Sequence, residues 1–303
     1  MRKQKGFLPI VALTIVSILM GADTVFIKMG VASIPVGIFM TMRFLAASLF
    51  LSPPAIRNWK PLSSKSFLLV SLASIFYVTL SSLALYVGLT KTTASNSAII
   101  YLLGPIILLI LSTSFLKERL NFQTFIGICI ALVGSLIIIG KPWAASGNNS
   151  GLVGNLLIVV AVFCVTVSVV ICKPLTKKMS IQQLTFLYMF LGTLPIAIYS
   201  FKQFHSWDVL STTTSGWVGL VGSTLAVVLA KPLFFFALKH KKAMDTGVYD
   251  YVESVATIVI AWILLSEAPT PIFILGSVLV FIGVCLTEYS SIRKKYRLAI
   301  HRH

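Results

Sequence analysis

Residues 243–267, AMDTGVYDYVESVATIVIAWILLSE, put ionisable side chains inside a stretch with the length and apolarity of a bilayer-crossing helix. Asp250 and Glu253 are three apart and share a helix face, with Thr246 and Thr257 above and below and Tyr249 four before Glu253. A carboxylate facing lipid is costly, so such residues face a cavity or a partner and mark an ion or substrate path. Glu253, near the midplane, has two readings. It is either a protonated, hydrogen-bonded acid that helps pack its helix, or a titratable group that exchanges a proton or meets a cationic moiety as the cavity changes sides. With Tyr249 the two carboxylates form an anionic aromatic box of the kind that receives organic cations.

Three further charges lie inside apolar runs. Asp23 and Arg43 sit at matching depth on the arms of a hairpin centred near Ser33, where an ion pair neutralises both. Lys231 and Asp250 are equidistant from the turn at His240 and Lys241, so Lys231 either pairs with Asp250 or snorkels to the membrane face about 10 Å away. Tyr86, Tyr101 and Tyr188 lie in other runs and Trp262 in the same run as Glu253, where packing or lipid contact is the usual role. Tyr101 joins Glu253, Asp250, Tyr249, Lys231, Asp23 and Arg43 as the candidate binding or coupling residues. Pro105 and Pro232 interrupt helical hydrogen bonding, which is tolerated where neighbours or water satisfy the freed carbonyls, and such breaks often lie beside a site.

The elements that position these residues follow from composition. The chain has 303 residues, 57% hydrophobic and 11% charged, too apolar for a soluble domain. Ten apolar runs, at 7–28, 35–55, 66–89, 95–116, 122–140, 152–174, 181–201, 216–238, 246–265 and 271–289, are each long enough to span. The expected fold is therefore an all-α polytopic membrane protein of ten transmembrane helices. The first run follows a basic N-terminus as a signal peptide does, but it is too long and has no small-residue cleavage site, so it is expected to remain as helix one.

Basic residues set the orientation. With the N-terminus inside, nineteen of the 25 Lys and Arg fall on the cytoplasmic side and only Lys28, Lys91, Lys141 and Lys202 outside. Both termini are thus expected in the cytoplasm, and the net charge of +17 is largely a topology signal. A shift of 149 residues lays Ala94 on Ala243, Glu118 on Glu267, Gly127 on Gly276 and Gly134 on Gly283 without a gap. Because five is odd, the second half enters the membrane inverted, and inverted halves place a site at their interface near the midplane. The expected organisation is a first repeat at 1–142, an outer linker at 143–151, a second repeat at 152–289 and a basic cytoplasmic tail at 290–303.

Gly21 in the first run, Arg43 in the second, Leu103-Gly104-Pro105 in the fourth, Val252-Glu253-Ser254 in the ninth, and Glu118 and Glu267 closing runs four and nine complete a pattern. In that order and spacing the chain resembles the EamA branch of the drug/metabolite transporter superfamily, from Phe7 to Tyr289. The resemblance implies secondary transport, often export, of small organic solutes such as amino acids across the bacterial cytoplasmic membrane, through a cavity between the halves. Met20 stands where the family often has Trp, Ser254 where Pro commonly follows the Glu, and Asp23, Lys231 and Asp250 fall outside its pattern.

Other classes find less support. The chain lacks GxxxxGK[ST], HExxH and GxSxG, so ATP-driven pumping and hydrolysis are not expected, and neither is an enzyme or a cofactor. The four cysteines lie in apolar runs without metal-ligand spacing and read as packing thiols. The spread of basic residues over six segments argues against nucleic acid as a partner. Expected partners are a small-molecule substrate, membrane lipid and protons as coupling ion, and a homodimer is a compatible assembly. A channel or an assembly scaffold is the competing class.

Overall fold

The computed structural model describes residues 4–92, 94–118, 122–139, 149–265, 275–276, 278–279, 281–283 and 285–286. Residues 143–148 of the expected linker, Glu267 and the basic tail lie outside them, while 149–151 of that linker are the start of a helix. Two long helices, α1 (Gln4–Val31) and α2 (Val36–Arg57), come first. The third apolar run is α3 (Ser64–Ser74), a π-helical segment (Ile75–Ser81) and α4 (Ser82–Leu89). The fourth is split into α5 (Ala94–Tyr101) and α6 (Gly104–Phe115), and α7 (Phe122–Ile139) follows. In the second half α8 (Asn149–Lys178), α9 (Ile181–Ser206) and α10 (Thr214–His240) are long, and the ninth run divides into α11 (Ala243–Gly247) and α12 (Tyr249–Leu265). The described residues of the tenth run are helical.

Among the described residues seven stretches are long and apolar enough to cross a membrane, and Gly104–Phe115 and Phe122–Gly134 are shorter apolar helices. Run four is thus not the continuous span that composition implied. Pro105 lacks the N–H that would bind the Tyr101 carbonyl, so the helix stops at Tyr101 and restarts at Gly104. The Ser254 hydroxyl of α12 donates to a last-turn carbonyl of α5, that of Ala98, at 3.2 Å. Run nine breaks at Val248, where a tighter turn (Tyr251 N–H to the Val248 carbonyl, 3.3 Å) carries the chain into α12. The Ser17 hydroxyl of α1 donates to the Tyr249 carbonyl beside that break at 2.9 Å. Hydroxyl caps from Ser63, Ser180 and Thr213 start α3, α9 and α10.

The packing has an exchange pattern. α1 lies against α10 and α12, while α8 lies against α3, the π segment and α4, and against α5 and α6; α2 packs on α9. A shift of 149 residues carries the partners of α1 onto those of α8. The split runs cross each other, α5 against α12 and α6 against α11. Apolar side chains such as Leu49, Phe50, Phe115, Phe201, Leu229 and Ile263 cover the outside, as lipid contact requires. Of the cysteines, Cys164 and Cys172 are buried, but Cys285 is exposed on that outer surface and is not a packing thiol.

One end of the bundle is tied by side chains to backbone. α6 ends with Lys117 at φ 52° and with the Glu118 N–H bonded to the Ser112 carbonyl at 3.2 Å, a left-handed helix stop. That turn delivers the Glu118 carboxylate to the first N–H groups of α11, those of Ala243 at 2.9 Å and Met244 at 3.2 Å. Lys173 of α8 donates to the Leu238 carbonyl at 2.5 Å and to that of Lys241, at the end of α10.

Small residues allow the closest approaches. A Cβ on Gly21 of α1 would lie 2.8 Å from the Cβ of Ala256 and 2.8 Å from the Thr257 nitrogen of α12. A Cβ on Gly283 would lie 2.5 Å from the Gly127 carbonyl oxygen, so these glycines of runs five and ten mark a packing contact. Because backbone cannot step aside as a flexible side chain can, Gly21→Val is expected to cost about 1–3 kcal/mol. A lowered melting temperature of the purified variant in detergent is the expected readout, and an unchanged one would rule out the tight α1–α12 contact.

Candidate functional site

The helices enclose a cavity of about 110 Å³. It runs along α1 from Leu13 to Ile27, about 21 Å of helix, and is walled by the π segment, α4, α8, α10 and both split runs. All seven residues singled out from the sequence line it: Asp23, Arg43, Tyr101, Lys231, Tyr249, Asp250 and Glu253.

They fall into two groups. Arg43 is 1% exposed and its Nη2 lies 2.6 Å from Asp23 Oδ2, an ion pair at the depth the hairpin arithmetic gives. Its other terminal nitrogen donates to the Tyr86 hydroxyl. The guanidinium also lies 5.0 Å from the centre of the Phe44 ring. This closely paired unit ties α1 and α2 to α4, while Asp23 Oδ1 and Arg43 Nε have no hydrogen-bond partner among the described residues.

Lys231, Asp250 and Glu253 form the open group. Among the described residues none of the three side chains makes a hydrogen bond or an ion pair within 4 Å. Lys231 therefore neither pairs directly with Asp250 nor snorkels to a membrane face. It is 8% exposed, and its Nζ stands 3.7 Å above the centre of the Tyr77 ring and 5.6 Å from that of Phe234. Its ammonium is attracted electrostatically by Glu253 and Asp23, and Asp250 is in turn attracted by it. Asp250 and Glu253 keep partial exposure, directed into the cavity one helical turn apart. Asp250 packs on Gly104 across the crossing of the split runs, where a Cβ would lie 3.1 Å from Asp250 Oδ2. Tyr249 and Tyr101 complete this wall.

Sequence reasoning missed Tyr77 and the π segment that presents it. The wider π turn is marked by the Ser82 hydroxyl bonding the Tyr77 carbonyl five residues back at 3.1 Å. The segment is held on both sides. Thr79 donates to the Gly192 carbonyl at 2.9 Å, Ser81 to that of Ala161 at 2.9 Å, and Ser74 to that of Tyr188. Tyr77 stacks on Tyr188 at 5.2 Å between ring centres, and the Tyr188 hydroxyl meets Ser168 at 2.6 Å. The signal available in the sequence was the run of hydroxyls Ser74, Tyr77, Thr79, Ser81 and Ser82 inside an apolar segment, an excess over what packing needs.

A helical multi-pass membrane protein with a charged cavity at its centre is the class that this fold and site define. Residues 7–140 and 152–289 each match the EamA-like transporter family, and the chain belongs to that family. It is 27% identical over 94% of its length to the uncharacterized transporter YetK of Bacillus subtilis (strain 168), covering 88% of that protein. It is 24% identical to the pseudopaline exporter CntI of Pseudomonas aeruginosa (strain UCBPP-PA14), over 62% of this chain and 64% of that one. A crystal structure at 14% identity superposes with a TM-score of 0.74 over 93% of this chain and 96% of its own.

Neutralising one member of the closed pair should leave its partner charged in the interior. Asp23→Leu or Arg43→Met alone is expected to cost about 3–5 kcal/mol of stability, and the two together to recover most of that. Melting temperatures of the single and double variants measure it; purely additive losses would mean that the two charges do not depend on each other.

Proposed function

We propose that this chain is a secondary transporter, acting as an exporter, that moves a small organic metabolite such as an amino acid across the cell membrane by alternating access with a proton as coupling ion. The observation that carries this reading is the open charged group. One ammonium and two carboxylates face a cavity between helices of both halves, with no partner within ion-pair distance among the described residues. Buried charges held this way are completed by something that enters and leaves. Two carboxylates opposite one lysine leave a single negative charge over, and a proton is the smallest species that balances it.

The exchange of packing partners between α1 and α8 supports two inverted five-helix halves, at 1–142 and 152–289, that can rock against each other. Ten spans with both termini in the cytoplasm complete the arrangement, and the exporter sense draws support from the relative named as an exporter. An organic cation as sole substrate is disfavoured because the Lys231 ammonium stands in the same cavity.

Two experiments test the proposal. Cysteines introduced by Ser146→Cys and Ser291→Cys should react and be spared, respectively, with an impermeant thiol reagent applied to intact cells; the opposite pattern would overturn the orientation. Glu253→Gln should fold and bind substrate yet lose accumulation driven by an imposed pH gradient. Wild-type accumulation in that variant would remove Glu253 from the coupling step.

A further inference from the structure

We propose that Lys231 is the anion seat of the cavity, and that the solute is a compact zwitterion whose carboxylate rests on Lys231 while its ammonium faces Asp250 and Glu253. The inference rests on reading this cavity as the transport site and deepens it to a substrate class.

Lys231 lies in the interior of α10, nine residues before His240, and is 8% exposed. An ammonium carries three N–H donors. The Tyr77 ring, 3.7 Å below Nζ, stabilises the charge from one side through its face but accepts no strong hydrogen bond. The side chain makes no hydrogen bond or ion pair among the described residues, so its donors are directed to the cavity it lines. A desolvated charge in that condition calls for an anion. The two carboxylates do not supply it here, since neither comes within 4 Å, although both attract the lysine at longer range. A solute with a positive and a negative end fits between them.

The seat is also built to hold its position. Tyr77 is fixed by its stack on Tyr188, which Ser168 holds by its hydroxyl and Phe235 meets edge-on at 5.1 Å between ring centres. On the opposite wall Gly104 leaves room for Asp250. A simple amine would bring a second cation toward Lys231, and a simple carboxylate would leave Asp250 and Glu253 facing each other without one. Only a solute carrying both charges answers the whole group. The cavity volume of about 110 Å³ favours a compact molecule.

The test uses the purified full-length chain in lipid nanodiscs and six probes on two carbon skeletons. These are L-alanine with ethylamine and propionate, and L-leucine with 3-methylbutylamine and 4-methylpentanoate. Melting temperature and direct binding should rank the amino acid above both its amine and its acid on at least one skeleton. Lys231→Gln should weaken the amino acid at least tenfold while leaving the amine unchanged or tighter, and Lys231→Arg should keep the wild-type ranking. An amine that binds the native protein as well as its amino acid overturns the zwitterion and leaves a cation cavity. A preference for the amino acid that survives in Lys231→Gln removes Lys231 as the seat. Binding by none of the six overturns both this inference and the reading beneath it. If Lys231→Gln does not fold, the ranking in the native protein decides.

Discussion

A backbone carbonyl that loses its helical partner inside a bilayer has no water to turn to, and neither does a charge. The irregular places in this chain lie where a neighbouring helix supplies what water would have supplied. Ser254 reaches an Ala98 carbonyl at the broken fourth run, Ser17 reaches Tyr249 at the broken ninth, and Thr79 and Ser81 hold the π segment against α9 and α8. Because these substitutes come from across the bundle, a break in one half is stabilised by the other. The split runs can then cross at the cavity, and Gly104 and Asp250 meet there through that crossing.

The same constraint divides the buried charges by role. Arg43 and Asp23 pair at 2.6 Å through one oxygen and one nitrogen, and with Tyr86 they lock α1, α2 and α4 together. Lys231, Asp250 and Glu253 are close enough to feel one another but not to pair. A closed pair contributes shape to the cavity wall. An open triad contributes affinity for whatever completes it. The contrast is one of distance rather than residue type, since both sets contain a base and at least one acid.

Much of this was legible in the sequence because membrane helices advertise themselves. Ionisable residues in apolar runs are rare and costly, so Asp23, Arg43, Lys231, Asp250 and Glu253 could be picked out one by one, and hairpin depth alone put Asp23 beside Arg43. Depth arithmetic failed for Lys231 and Asp250 because it fixes height in the membrane and says nothing of rotation about the helix axis. Lys231 points instead to a ring on the third run. Tyr77 stayed hidden for a related reason: no periodicity predicts a π turn, whose hydrogen bonds are made five residues apart. Pro105 marked the break in run four, but the break at Val248 has no proline and depends on tertiary contact.

The third run, with its π segment, makes the cavity sensitive to chain length as well as to composition. A turn closed over five residues accommodates one more residue than an α-helical turn. Deleting a single residue there would let the turn close as α-helix with its flanks nearly in phase, whereas a deletion in the α-helical part of the third run would rotate all that precedes it by about 100° relative to all that follows. Tyr77 would then swing off Lys231 even if no side chain lining the cavity were changed. Evolution of this wall by substitution is therefore gradual, whereas evolution by insertion or deletion is a jump that exchanges one face of the third run for another. Two relatives with the same cavity residues but unequal length in the third run outside Ser74–Ser82 would present different faces to the solute.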